Sequence, residues 1–206
     1  MRRLTHRYLL AALIALVSAC ANTADPKAAA REIALGDATV TRSATIKTLN
    51  FEEQEQLTDN LAFHYKAAIG HDPKNIDAHK KLARVYYDRG RTLSCFFVLN
   101  ETKTLIQTDE EVNAGLTSFA TKSMATIAAH NGRDLTKLDP VGLAKLGRCY
   151  FIIGNTDKAK ELLIKARDID KTNGYVLASI YELQQIETGA VLSNAKTTAP
   201  PKDPNS

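Results

Sequence analysis

Little in this chain is suited to chemistry. Its 206 residues include three cysteines and five histidines. Cys20, Cys95 and Cys149 form no C-x-x-C or Cys/His spacing, so neither a zinc site nor a redox pair is expected. His6, His64, His71, His79 and His130 never stand one helical turn from one another. A glycine-rich phosphate loop, a G-x-S-x-G and an H-E-x-x-H are all missing. The acidic pairs Glu52-Glu53 and Glu110-Glu111 open predicted helices, where they favour the positive end of the dipole. We therefore expect no enzyme, no cofactor and no metal. Long apolar runs are missing too, since Tyr8–Val17 is too short to cross a bilayer as a helix. The net charge is +4, and Arg2, Arg3 and Arg7 at the N-terminus supply three of those positive charges. What remains is nearly balanced, and nothing in it argues for a nucleic-acid partner.

The beginning of the chain has its own grammar. Basic residues precede the apolar run, and Val17-Ser18-Ala19-Cys20 follows it. A basic segment, a short apolar segment and small residues before a cut make a secretory signal, here 1–19. The V-S-A-C sequence resembles the lipobox of bacterial lipoproteins, which implies a lipid on Cys20. Ordinary cleavage after the same small residues, with Cys20 incidental, is the alternative. Ala21 after the cysteine resembles an outer-membrane address, on the periplasmic face. Residues 21–50 are rich in Ala, Thr, Asp and Lys and read as a flexible tether with a reach of roughly 30 Å.

From 51 to 190 the apolar spacing is helical throughout, and the fold class expected is all-α. Asn50 resembles a helix cap, with Leu57, Leu61, Tyr65 and Ala68 at helical spacing behind it. Val112, Leu116, Phe119, Ala120, Met124 and Ile127 mark one long amphipathic helix that Asn131-Gly132 ends. Asp139-Pro140 caps the next. Tyr175, Val176, Ile180, Leu183 and Ile186 make a last helix, with Gln184, Gln185 and Glu187 on its polar face. Cys95 and Cys149 fall among apolar residues in non-adjacent helix pairs. We read them as small buried hydrophobes rather than a disulfide. His79 is expected to be packed, and His130 to end a helix. Residues 191–206, with Pro200, Pro201 and Pro204, are expected to be disordered.

The most specific pattern lies at 140–173. Leu143, Leu146, Gly147, Tyr150, Gly154, Ala159, Leu163 and Ala166 alternate large and small residues over a period of about 34 residues. Two helices approach closely only where one offers a hole for the other's knob. Gly147 and Ala159 are the holes, and Tyr150 and Leu163 the knobs. This resembles a tetratricopeptide repeat. A second, looser match runs from Ile76, with His79, Leu82, Ala83, Tyr86, Gly90, Cys95, Leu99 and Thr102. Tyr65, Ala68 and Asp72-Pro73 resemble the end of an earlier unit whose first half is missing or irregular. The spacing from Ile76 to Pro140 falls a few residues short of two whole periods, so a distorted unit is expected between them. The resemblance implies a short irregular solenoid of about seven helices that holds a partner.

In that family, ligands lie against the first helices of successive units. The inward positions would be Asp77, Lys80, Arg84 and Tyr87 in one unit, and Val141, Ala144, Arg148 and Phe151 in the other. Arginine followed one turn later by an aromatic recurs, and both residue types anchor interfaces. An extended or helical peptide with an acidic and apolar face would suit such a surface. The alternative is that Arg84 and Arg148 are solvated while Tyr87 and Phe151 pack against a neighbouring helix. The Lys and Asn pattern of a carboxylate clamp is not present, so capture of a free C-terminus is not implied. Lipoproteins of this architecture include pilotins and assembly lipoproteins of type IV and Tad pili. They also include adaptors that recruit peptidoglycan hydrolases, proteases or outer-membrane biogenesis components. The resemblance implies a scaffold for pilus or secretion-system assembly first, and such an adaptor second.

Overall fold

The computed structural model describes residues 24–44 and 50–192. The fold is all-α and solenoid-like, with each helix packed mainly against its neighbours in sequence. Eight α-helices occur among the described residues: α1 (Pro26–Ala44), α2 (Phe51–His71), α3 (Ile76–Asp88), α4 (Thr92–Leu105), α5 (Glu110–His130), α6 (Pro140–Ile152), α7 (Thr156–Ile169) and α8 (Gly174–Glu187). A 3-10 turn, Leu135–Lys137, joins α5 to α6.

Side-chain caps start most of these helices. Asn50 and Glu53 close a reciprocal capping box at α2. Asn75, Asp109, Asp139, Asn155 and Asn173 each accept a backbone N–H at the start of α3, α5, α6, α7 and α8. Pro140 sits where its missing N–H costs nothing. Gly90 and Gly154 turn the chain after α3 and α6 with φ of 66° and 88°, a region that a side chain disfavours. Only α4 begins without a side-chain cap from its own N-cap residue, Arg91.

The expected hole-and-knob contact is in place at α6 and α7. A Cβ on Gly147 would lie 3.1 Å from the Ala159 carbonyl oxygen and 3.2 Å from Leu163 Cγ. Leu146, Leu162, Leu163, Val98 and Val176 fill the core from four helices.

Two expected boundaries are corrected. Within the stretch read as tether, Pro26–Ala44 is a helix that packs along α2. Its docking face holds one large apolar residue, Ile33, among small and polar groups. Ala29 is buried, and a Cβ on Gly36 would lie 2.7 Å from the Tyr65 ring. Asp37 accepts from Tyr65 Oη at 2.9 Å and from Lys81 Nζ at 2.9 Å. His64 meets Glu32 at 2.8 Å. At the other end, Val191 is 2% exposed and Leu192 packs on the core, so the fold continues past 190 into the segment read as tail. Lys66 Nζ donates to the Ala190 carbonyl at 3.0 Å, which ties this end to α2. Signal residues 1–19, Cys20 and residues 193–206 lie outside the described residues.

Candidate functional site

A groove of about 280 Å³ opens between α3 and α5, with α4 as its floor. Lys80, Arg84 and Tyr87 form the α3 wall at one-turn spacing. Cys95 and Leu99 of α4 lie beneath. Glu111, Val112, Gly115, Ser118, Phe119 and Lys122 form the α5 wall. The bottom is apolar and the rim charged. Phe119 is held edge-on against Phe96 at 6.1 Å between ring centroids. Gly115 lets α5 come close, since a Cβ there would lie 3.1 Å from Leu99 Cδ1.

Three of the expected binding residues therefore meet on one surface. Tyr87 is 57% exposed, and the Arg84 guanidinium carbon stands 5.9 Å from its ring centroid. Arg84 also pairs with Asp88 at 3.0 Å along the same helix. Lys80 reaches across the groove to α5, meeting Asp109 at 3.2 Å and Glu111 at 2.5 Å. The hydrogen bond to Glu111 chiefly raises the Lys80 pKa above its ordinary value. The Val112 N–H, then Lys80, holds the Asp109 carboxyl below the usual carboxylate range.

Arg148 and Phe151 do not join them. Phe151 is half-buried against the core. Arg148 is buried, and its guanidinium is used internally. One amino group forms an ion pair with Glu182 Oε1 at 3.2 Å and donates to the Gly90 carbonyl at 3.0 Å. The ring of Tyr175 lies 5.3 Å from its guanidinium carbon. Glu182 Oε2 in turn accepts from the Ser94 N–H at 3.0 Å and the Ser94 hydroxyl at 3.2 Å. Ser94 is in the first turn of α4, the helix without a cap of its own. A carboxylate from α8 thus caps α4 and neutralises Arg148. The correction has a physical cause: α4 and α8 both pack against α6, so the face of α6 that carries Arg148 is covered.

Sequence reasoning missed Glu111, Lys122 and Glu182 as site or network residues. By sequence, Glu111 is no more than a first-turn charge. Lys122 stands one turn beyond Ser118 and Phe119, so it was reachable once Phe119 was placed. His79 is packed as expected. Its Nε2 meets the Pro73 carbonyl at 3.1 Å, its Nδ1 has no partner, and burial lowers its pKa. Cys95 and Cys149 are free thiols, and burial pushes the Cys95 thiol up to about 12.

No group of three His, Cys, Asp or Glu side chains among the described residues is placed to hold a metal ion. No described helix is long and apolar enough to cross a membrane. Comparison with protein-family models, with curated proteins and with solved structures finds no match for this chain.

Proposed function

We propose that this chain is a protein-binding scaffold of the bacterial envelope, built on tetratricopeptide-like helix pairs and anchored by a lipid on Cys20. The observation that carries the binding half of this reading is the groove between α3 and α5. It combines an apolar floor, an exposed aromatic at Tyr87 and an exposed arginine at Arg84. Those are the side chains that anchor protein partners. Helix α5 adds support, because only Val112, Leu116 and Ser123 are buried along its 21 residues. Phe119 and Ile127 are half-buried against the core, and Met124 stands 56% exposed.

The envelope half rests on the leader and lipobox sequence. Within the envelope, assembly of a type IV or Tad-type pilus or of a secretion system is the role we favour.

One experiment addresses both halves. The full chain is captured from membranes of cells that express it, and the proteins that accompany it are identified. Ser118→Trp places a large ring in the groove from an exposed position. The partner should be lost from Ser118→Trp and weakened by Arg84→Ala, a truncation expected to cost about 1–2 kcal/mol of binding. Undiminished capture by both folded variants rejects the groove. Cys20→Ser should release the chain from the membrane fraction and abolish fatty-acid labelling. Persistent labelling rejects the anchor.

A further inference from the structure

We propose that Asn131, just past the end of α5, is a self-modification site, where the side-chain amide becomes a carboxylate through a cyclic imide with the Gly132 nitrogen. The proposal is independent of the groove and of what fills it.

Asn-Gly occurs twice in the sequence, at Asn131-Gly132 and Asn173-Gly174. The dipeptide is reactive because glycine has no side chain to shield its nitrogen or restrain its backbone. The glycine nitrogen attacks the asparagine Cγ. A C–N bond forms, the Cγ–Nδ2 bond breaks, and ammonia leaves with the proton of the attacking nitrogen. Water then opens the imide. Attack at Cγ gives aspartate, and attack at the main-chain carbonyl carbon gives isoaspartate. Nothing is oxidised or reduced, and water is the only co-reactant. By dipeptide chemistry alone the two sites are equivalent.

The fold separates them. Both asparagines have an extended ψ, 130° at Asn131 and 111° at Asn173, so the Cα–C bond has to turn before attack. Asn131 is free to turn. It and Gly132 are exposed. Among the described residues, neither the Asn131 side chain nor the Gly132 N–H has a hydrogen-bond partner. Gly132 stands at φ of 72° with open space where a Cβ would be. The turn disturbs little more than the Arg133 N–H bond to the His130 carbonyl, at 3.2 Å.

Asn173 is held. Its side-chain oxygen accepts from the Val176 N–H at 3.2 Å, and its amide nitrogen donates to Asp170 Oδ2 at 3.4 Å. Its own carbonyl accepts from the Leu177 N–H at 3.0 Å. Swinging its amide onto Gly174 therefore removes the cap of α8.

The product at 131 is placed to matter. A carboxylate there faces the negative end of the α5 dipole. Isoaspartate also adds a methylene to the main chain between α5 and the 3-10 turn. Both loosen the last turn of α5, where Ile127 packs on the core and His130 Nδ1 meets the Thr126 carbonyl at 2.8 Å.

The test holds the full chain in detergent at neutral pH and body temperature for weeks, in water carrying heavy oxygen. Its peptides are then read by mass spectrometry. Label should enter at 131 about 2- to 30-fold faster than at 173, the range set by opening one helix cap. In guanidinium chloride the two rates should converge. Gly132→Ala should slow the reaction at 131 and leave 173 unchanged. No label at 131, equal rates in the folded chain, or a faster Asn173 overturns the proposal. A difference that survives denaturant assigns it to flanking residues instead of the fold, and also overturns it. An unchanged rate in Gly132→Ala rules out attack by this nitrogen. Hydrogen exchange should quicken in the last turn of α5 of the aged protein, with α3 and α4 still protected. Unchanged exchange there overturns the effect on α5.

Discussion

Leucine at Gly147 would meet the Ala159 carbonyl, a backbone group that cannot swing aside. Gly147→Leu should therefore cost about 1–3 kcal/mol or more by overpacking, read as a lower thermal midpoint, while Lys158→Ala stays within about 0.5 kcal/mol. Glu182 is the more consequential residue. Its removal leaves Arg148 buried without a counter-charge, and Glu182→Ala should cost about 3–5 kcal/mol in denaturant unfolding. Arg148→Met together with Glu182→Met should recover part of this loss. It should still fall short of wild type by about 1–3 kcal/mol, because the Ser94 N–H is then buried without a partner. Full recovery in the double variant would mean that capping α4 contributes nothing. The contrast between Gly147 and Glu182 shows what a sequence makes legible at this scale. Gly147 has its knobs within the same helix pair, so spacing alone exposes it. Glu182 and Arg148 matter through residues far along the chain, and no local pattern marks them. Arg148 and Arg84 look alike in sequence, yet one is buried and the other open.

The long helix α5 was readable because Val112, Leu116, Phe119 and Ile127 share its packed face and Asn131-Gly132 ends it, although Met124 of the expected stripe is 56% exposed and Ser123 is buried beside it. Gly132 indeed adopts φ of 72° just past the helix. Helix α1 was not readable, for the opposite reason. It docks through Ala29, Ile33 and Gly36, a stripe with one large apolar residue between two small ones, fastened by the polar contacts of Glu32 and Asp37. Asp37 is the polar substitute, since it joins α1 to both Tyr65 of α2 and Lys81 of α3. Asp37→Ala should raise hydrogen-exchange rates in α1 selectively, leaving α3 and α4 protected. Uniform loosening of all helices would show instead that Asp37 supports the whole fold. The thiols offer a check on α4 against α6. In the native protein, alkylation should reach half-buried Cys149 before Cys95, whose thiol is kept protonated by burial. Denaturant should remove the difference.

Across the whole molecule, the last described residues return to the first part of the fold. Val191 is buried, and the Ala190 carbonyl accepts from Lys66 of α2. Ending the chain after Thr188 should destabilise it by about 1.5–3 kcal/mol or more, the value of one fully buried valine, with a matching fall in thermal midpoint. An unchanged midpoint would mean that this return contributes nothing. Such closure separates the molecule from a simple stack, in which each unit leans only on the next and folding can spread from any point. The carboxylate that completes the first turn of α4 has a consequence in time. Its sequence separation from Ser94 is 88 residues. A chain emerging N-terminus first displays α4 with that turn unfinished until α8 has been delivered. The early helices then wait in a state that a protease or chaperone can still engage, and completion arrives in one late step.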